Sequence, residues 1–299
     1  MAYRNIFVAN QSVLKLKNNQ LIVDNGEEYS FPIEDVRSVI LDNCSTTVTC
    51  SLLSELAGQG VCVMVCDSKH MPACMLLPVG SYCRISKRIT LQINQSSPKL
   101  KRIWQRIVVS KIENQARCLE INNNHLYLQL INISKTVASG DSTNREGYAA
   151  RVYFKALFGD DFTRDDESII NAGLNYGYAI LRSYICKTLV AYGFEPSLGI
   201  HHKNQLNQFN LADDLIEPFR PVVDNYVFQN IEKWDGEFKT AQKGALQLLL
   251  NSAVLLDGKR HSVANAIELV VQGIVSAYEE DIQKLKLPQL TDTEFFNYD

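Results

Sequence analysis

The chain has 299 residues, of which 46% are hydrophobic and 21% are charged, and its net charge is −3. This is the composition of a globular protein, and the length suggests two domains. No apolar run approaches the roughly 18 residues that a membrane span needs, and the N-terminal sequence MAYRNIFVAN lacks a signal-peptide pattern. Eight cysteines without a C-x-x-C pair indicate free thiols in a reducing environment. We therefore expect a cytoplasmic protein that contacts no membrane.

The first eighty residues are typical of a β domain. Asn18 and Asn19 are residue types that tolerate a positive φ, so they predict the turn of a hairpin. One short helix is predicted at 49–60, where apolar residues at helical spacing end in glycine. The predicted strands are 5–10, the two arms of the hairpin within 13–25, 28–33, 38–43, 61–67 and 72–80.

The hydrophobic period changes to 3.6 near residue 83, and from about residue 95 onward the chain is predicted to be nearly all helix. The predicted helices are 83–94, 96–121, 125–138, 144–159, 167–193, 244–256 and 263–282. The predicted fold class is therefore α+β. A small N-terminal β domain (1–82) precedes a larger all-α catalytic domain (83–299), with a linker at roughly 80–97.

The stretch from residue 80 to residue 117 is strongly basic. It holds nine Lys or Arg residues against one acid, Glu113, for a net charge of +8, so the rest of the chain carries −11. Such asymmetry indicates either a polyanion partner or a well-solvated helix face. On the predicted helix, Lys99, Arg102 and Arg106 are expected to share a solvent face.

Glu146 is the first candidate for chemistry. It lies in REGYAARVYF (145–154), where Gly147, Ala149 and Ala150 make its surroundings small enough for a backbone or a large ligand to approach. The alternative is structural, because an acid in the first turn of a helix is stabilised by the helix dipole.

A second group of candidates lies in LGIHHKNQLNQFNLADDLIEPFRP (198–221). Asp213, Asp214 and Glu217 group on one side of a helical turn, where they repel one another unless solvent screens them or a cation lies between them. Pro218 is expected to bias Glu217 away from the α region, and Asp213 or Asp214 is expected to cap the helix. Imidazole beside carboxylates suits Mg²⁺, Mn²⁺ or Zn²⁺, although no H-E-x-x-H motif is present.

Three separated blocks together resemble one family. REGYAARVYF, NAGLNYGYAILRSY (171–184) and SLGIHHKNQLNQFNLADDLIEPFRP (197–221) are similar, in this order, to the CRISPR-associated integrase, the metal-dependent DNA endonuclease of spacer acquisition. The likeness is greatest to the branch found with type II systems. The resemblance implies a β domain, a helical catalytic domain and a homodimer. It also implies that two such dimers assemble around a dimer of a small CRISPR adaptation subunit.

The resemblance also implies a metal-binding and catalytic triad. The family's Glu in E-G-x-A-A-R falls on Glu146, its His at the end of the L-G block falls on His202, and its acid before P-F-R-P falls on Glu217. Asp214 is the implied supporting residue. His201 departs from the family pattern, which usually has an apolar residue there, so the choice between the two imidazoles rests on the resemblance.

The implied activity is insertion of short double-stranded DNA into a CRISPR array, by attack of 3′-OH ends on repeat phosphodiesters with Mg²⁺ or Mn²⁺ as cofactor. Two alternatives stay open at this point: a stand-alone metal-dependent nuclease on branched DNA, and a DNA-binding scaffold whose acids are caps. The predicted DNA-binding residues are Arg84, Lys87, Arg88, Lys99, Arg102 and Arg106.

Overall fold

The structure is a computed structural model that describes residues 4–68, 72–76 and 85–296. The chain divides between residues 83 and 84 into two compact units. The first unit is rich in strands and the second is mostly helical. This arrangement confirms the predicted α+β class.

Within its described residues, 4–68 and 72–76, the first unit contains two four-stranded sheets and one α-helix, Cys50–Gly58 (α1). Its strands are Arg4–Val8 (β1), Val13–Lys17 (β2), Gln20–Asp24 (β3), Glu28–Pro32 (β4), Val36–Leu41 (β5), Thr47–Val48 (β6), Cys62–Cys66 (β7) and Pro72–Leu76 (β8). One sheet has the order β1-β5-β7-β8 and the other β4-β3-β2-β6. The predicted hairpin is confirmed, because Asn18 and Asn19 have φ of 51° and 57° and Leu16 pairs with Leu21.

The second unit is built around one long helix, α3, which packs against α4, α5 and α8. Its nine helices are Ile85–Ile93 (α2), Ser97–Ile121 (α3), Tyr127–Ser134 (α4), Arg145–Phe158 (α5), Ile169–Ala191 (α6), Asn210–Ile216 (α7), Arg220–Asn230 (α8), Thr240–Leu248 (α9) and Val263–Glu279 (α10), within the described residues. Ile103, Ile107 and Ile112 of α3 are fully buried, as the helical period predicts. No helix in the described part is long and apolar enough to cross a membrane.

The helix predicted over 244–256 is wrong in its second half. Residues Ser252–Leu256 form a strand (β9) between Lys259–Ser262 (β10) and Gln289–Phe295 (β11) in an antiparallel sheet. Asp257 and Gly258 make the turn, with φ of 52° and 75°. A short apolar run buried on both faces has no distinctive period, so its neighbours rather than its own pattern decided its conformation.

Candidate active site

Glu146 lies in the first turn of α5, as its structural alternative predicts. The free N–H groups of this turn are bound by other residues, however. Asp141 accepts hydrogen bonds from the backbone nitrogens of Arg145 and Glu146 at 2.8 and 3.0 Å, and Asn144 accepts one from Gly147 at 3.1 Å. The Glu146 carboxylate is therefore not needed as a cap and reaches toward α3.

Glu217 lies where α7 passes into the short 3₁₀ turn Glu217–Phe219 that leads into α8. The expected bias away from the α region is wrong, because Glu217 has φ −52° and ψ −45°. Pro218 is accommodated at the start of a new turn, where its missing N–H has no partner to lose. The turn is anchored by the buried Asn114, whose Nδ2 donates to the Pro218 carbonyl at 2.7 Å.

The two glutamates meet on one cation, the ammonium of Lys111 on α3. Its Nζ donates to Oε1 of Glu146 at 2.6 Å and forms an ion pair with Oε2 of Glu217. Arg220 completes the cluster, because its Nε donates to Oε1 of Glu217 at 2.9 Å. Lys111 is 9% exposed and Glu217 4%, so the charges interact where water screens them little.

The electrostatics of this cluster keep it fully charged. Burial by itself raises the pKa of Glu217, but the guanidinium of Arg220 and the ammonium of Lys111 outweigh it and lower the pKa to about 2. Burial likewise lowers the pKa of Lys111, yet the charges of Glu217 and Glu146 raise it above its ordinary value. The two carboxylates and two cations therefore balance at neutral pH.

Arg220 packs against Tyr178, which belongs to a buried hydrogen-bonded cluster with Tyr153 and Asp224. Its guanidinium carbon lies 4.5 Å from the centre of the Tyr178 ring. The Tyr178 hydroxyl donates to one oxygen of Asp224, and the Tyr153 hydroxyl donates to the other at 3.0 Å. Burial raises the pKa of Asp224 to about 6, against the opposing effect of these two hydrogen bonds.

Asp214 holds the loop of residues 199–202, here called the histidine loop, through hydrogen bonds. Asp214, one of the two acids from which a cap was expected, does not cap α7, since α7 begins at Asn210 and the Asp214 carboxylate binds the loop instead. It accepts hydrogen bonds from the backbone nitrogens of Ile200 at 2.5 Å, His201 at 3.0 Å and His202 at 3.2 Å. Its Oδ1 also lies 2.7 Å from Nδ1 of His202. This hydrogen bond is the chief cause of a raised His202 pKa, and the charge of Glu217 adds to it.

Asp213 has a separate role beside the same loop. It lies in the first turn of α7, where it accepts a hydrogen bond from Nδ2 of Asn207 at 2.7 Å and faces Arg182 at 3.8 Å. It is thus a first-turn acid but not a cap, because no side chain caps α7, and the expectation that Asp213 or Asp214 caps this helix is wrong. Its hydrogen bond with Asn207 holds the chain that leads from His202 into α7.

The two adjacent histidines have different environments. The exposed His201 ring stacks on Trp104 of α3, with ring centres 4.3 Å apart and planes 1° from parallel. The His202 ring meets the edge of Trp104 at 5.7 Å and binds Asp214. Only His202 therefore has a carboxylate that fixes one ring nitrogen and leaves the other, Nε2, directed elsewhere.

Lys111, Arg220 and Gly199 belong to this site but were missed from the sequence. Lys111 belongs to the basic stretch by sequence, yet it lies one turn after Ile107 on the apolar face of α3, and a lysine at such a position signals a buried partner. Gly199 permits the loop itself, because a Cβ there would lie 2.2 Å from the carbonyl oxygen of His202.

The predicted DNA-binding residues differ in how far they are exposed. Lys87 and Arg102 are exposed, whereas Arg88 is buried, and Lys99 and Arg106 are half-buried. Arg84 lies outside the described residues.

The basic side chains that are buried or half-buried bind other residues of the same chain. Arg88 faces Glu279 at 3.5 Å, and Lys99 donates to the carbonyl of Tyr278 at 2.8 Å. Arg106 donates to the side chain of Gln283 at 2.7 Å and to the carbonyl of Leu285 at 2.9 Å. The expected common solvent face of Lys99, Arg102 and Arg106 is therefore wrong. Arg102 is exposed, whereas contacts with the C-terminal segment partly cover Lys99 and Arg106.

The chain matches known proteins along its whole length. Residues 6–257 match the family model described as "CRISPR associated protein Cas1". The chain is 38% identical over 304 residues to "CRISPR-associated endonuclease Cas1" of Neisseria meningitidis serogroup C, with 100% of both chains covered. This chain belongs to the Cas1 family. The predicted family and the predicted enzyme class, a CRISPR-associated endonuclease, are confirmed.

Three further matches have lower sequence identity. A Cas1 endonuclease of Francisella tularensis subsp. novicida is 25% identical over 85% of this chain and 89% of the relative. A "casposase bound to integration product" has a TM-score of 0.72 at 20% identity, covering 92% of this chain and 90% of that one. A "Cas6-RT-Cas1–Cas2 complex" has a TM-score of 0.73 at 18% identity over 97% of this chain, which spans only 36% of that longer chain. The likeness to these two structures shows a shared fold.

Proposed function

We propose that this Cas1 chain inserts short double-stranded DNA into a CRISPR array, through attack of DNA 3′-OH ends on phosphodiesters of the repeat. One observation carries the proposal: Glu146 and Glu217, from separate helical elements, converge on a single cation, and Glu217 is near enough for its charge to raise the pKa of His202, whose ring a buried carboxylate fixes. Groups brought together in this way suit the charge that develops at a phosphate during strand transfer.

The residues of the site fit a divalent metal ion. Lys111 marks where both carboxylates accept a cation, and its ammonium stands in for one. Among the described residues, no three His, Cys, Asp or Glu side chains are grouped closely enough to hold a metal. Nζ of Lys111 contacts both glutamates instead. Carboxylate oxygens and a neutral imidazole form a donor set suited to Mg²⁺ or Mn²⁺. Glu146, Glu217 and Nε2 of His202 would hold the ion.

When bound, such an ion would supply Lewis-acid stabilisation of the phosphate oxygens and assist deprotonation of the attacking 3′-OH. Asp214 would hold the His202 ring in the orientation and tautomer that present Nε2. Arg220, fixed against Tyr178, would hold the Glu217 carboxylate and offset part of its charge. The chain's own contribution is thus to bring the carboxylates of Glu146 and Glu217 to one point and to fix the His202 ring before DNA binds.

The proposal includes binding partners, which are inferred from membership of the Cas1 family. We infer a homodimer, a small CRISPR adaptation subunit as second component, and double-stranded protospacer and repeat DNA as substrates, with the branch from type II systems as the context. Lys87 and Arg102 are the exposed members of the predicted DNA-binding residues within the described part of the chain. Their contacts with phosphates would give salt-dependent affinity with little base specificity.

The test is joining of a short duplex to a repeat-containing plasmid by this protein with its small partner, in Mg²⁺, Mn²⁺ or EDTA. We expect metal-dependent joined product that His202→Ala and Glu146→Gln abolish while dimerisation is retained. Retained joining by His202→Ala in Mn²⁺ would contradict the site. Cleavage of branched DNA that does not require the small partner, without any joining, would favour the stand-alone nuclease, and DNA binding without chemistry would favour the scaffold.

A further inference from the structure

The ammonium of Lys111 contacts both carboxylates that are proposed to bind the metal. We infer that its ammonium is a built-in competitor of the divalent metal: it holds Glu146 and Glu217 together in the metal-free protein and must withdraw from them when the metal binds. The inference rests on the proposed function, because it concerns the same two carboxylates.

The first step of the reasoning is geometric. Glu146 lies in the first turn of α5 and Glu217 directly follows α7, so no local structure brings their carboxylates together. Both nevertheless contact one nitrogen atom, Nζ of Lys111. Two carboxylates this close repel when nothing lies between them. The ammonium therefore keeps the site assembled before any metal arrives.

The second step is the local charge. Glu146 and Glu217 are already balanced by Lys111 and Arg220, which lie within ion-pair distance of them. A divalent ion added to this balanced group would meet two cations in a buried environment, where like charges interact strongly. Withdrawal of one cation restores a net negative site.

The third step decides which cation withdraws. Arg220 is restrained, since its guanidinium stacks on Tyr178 and donates to Glu217 through Nε. Lys111 has a flexible four-carbon stem and a compact ammonium, and this ammonium occupies the position between the two proposed ligands. Lys111 is therefore the group whose displacement opens the site.

The experiment measures Mn²⁺ affinity directly, by isothermal titration calorimetry and by electron paramagnetic resonance of free Mn²⁺, in the DNA-free protein. We expect Lys111→Met to bind Mn²⁺ at least about tenfold more tightly than wild type, because a neighbouring like charge commonly changes such an equilibrium by that factor or more. The metal-free variant should unfold at a lower temperature than wild type, and Mn²⁺ should raise its unfolding temperature by more.

The matched control is Lys243→Met. Lys243 is also buried, at 6% exposure, but it lies on α9, with its Nζ over aromatic rings and 5.9 Å from the centre of Phe238. This variant should keep the wild-type Mn²⁺ affinity. Lys111→Arg, which retains the charge, should not bind Mn²⁺ more tightly than wild type.

Each other outcome is decisive. Equal or weaker Mn²⁺ binding by Lys111→Met overturns the inference and leaves the proposed function standing. Absence of Mn²⁺ binding in wild type and variant alike overturns the proposed metal site and the inference with it. If Lys111→Met does not fold, Lys111→Gln carries the same test, because its neutral amide can still donate hydrogen bonds to the two carboxylates.

Discussion

Nδ1 of His202 lies 2.7 Å from Oδ1 of Asp214, a carboxylate that is completely buried. The same carboxylate accepts three backbone hydrogen bonds from residues 200–202. The loop and the ring are therefore fixed by one group, which leaves Nε2 of the imidazole for a ligand. A histidine that binds a metal usually donates its other N–H in this way.

Asp214→Asn should distinguish the effect of Asp214 on the orientation of the His202 ring from its effect on the stability of the fold. The neutral amide keeps the shape but offers one acceptor in place of two, and its NH₂ group faces backbone donors. We expect metal affinity and strand transfer to fall by about 10- to 100-fold, with a loss of about 1–3 kcal/mol in the free energy of unfolding. Mn²⁺ titration and urea unfolding measure the two effects. Unchanged Mn²⁺ affinity in the folded variant would show that Asp214 does not position His202.

Gly199→Ala should damage the histidine loop. The added Cβ would lie 2.2 Å from the carbonyl oxygen of His202 and 3.0 Å from Oδ2 of Asp214, so the backbone must move. We expect a destabilisation of about 1–3 kcal/mol and a large loss of strand transfer. Gly58→Ala is the matched control, because a Cβ at Gly58 meets nothing within 4 Å. Wild-type activity and stability in Gly199→Ala would contradict the close packing of this loop.

Asn114→Ala should loosen the turn that carries Glu217. The Asn114 amide donates to the carbonyls of Pro218 at 2.7 Å and Pro288 at 2.9 Å and accepts from the Leu290 nitrogen at 3.0 Å. Loss of these bonds leaves buried backbone groups without partners, at a cost of about 2–4 kcal/mol. Chemical denaturation measures this cost.

A second variant on the same helix serves as the comparison. Ser110→Ala removes one long hydrogen bond, 3.4 Å to the Pro288 carbonyl, and should cost well under half as much. Equal losses in the two variants would argue against a special role for the Asn114 amide.

Asp224 should make stability depend on pH. Burial raises its pKa from 3.8 to about 6, so the folded protein binds this proton more tightly than the unfolded chain does. The resulting stabilisation is complete below about pH 4 and is lost as the pH rises through about 6, by on the order of 3 kcal/mol at most.

Asp224→Asn cannot ionise and should lack this loss. Urea unfolding of both proteins from pH 4 to pH 7 isolates the contribution as a difference, because the other titrating groups are common to both. Parallel curves for wild type and variant would show that the Asp224 carboxyl has no raised pKa. The amide also retains an acceptor for one tyrosine hydroxyl, so both proteins are expected to fold.

Local patterns predicted the elements wherever the residues themselves set the backbone. Asn18 and Asn19 fixed the hairpin through their tolerance of positive φ, and the isoleucines of α3 fixed its buried face. The pattern failed at Ser252–Leu256, where two neighbouring strands provide the backbone partners. It failed also for Lys99 and Arg106, whose apparent solvent face is covered by residues more than 170 positions away.

The sequence by itself determined the family, the α+β class, and the blocks that contain Glu146, His202 and Glu217. Only the tertiary structure decided how these residues are used, because carboxylates far apart in sequence meet through helix packing rather than through local spacing. It distinguished His202 from His201 by giving one a buried carboxylate and the other a tryptophan face. It also placed Lys111 between the two glutamates, since a charge is buried only where the folded chain supplies an opposite one.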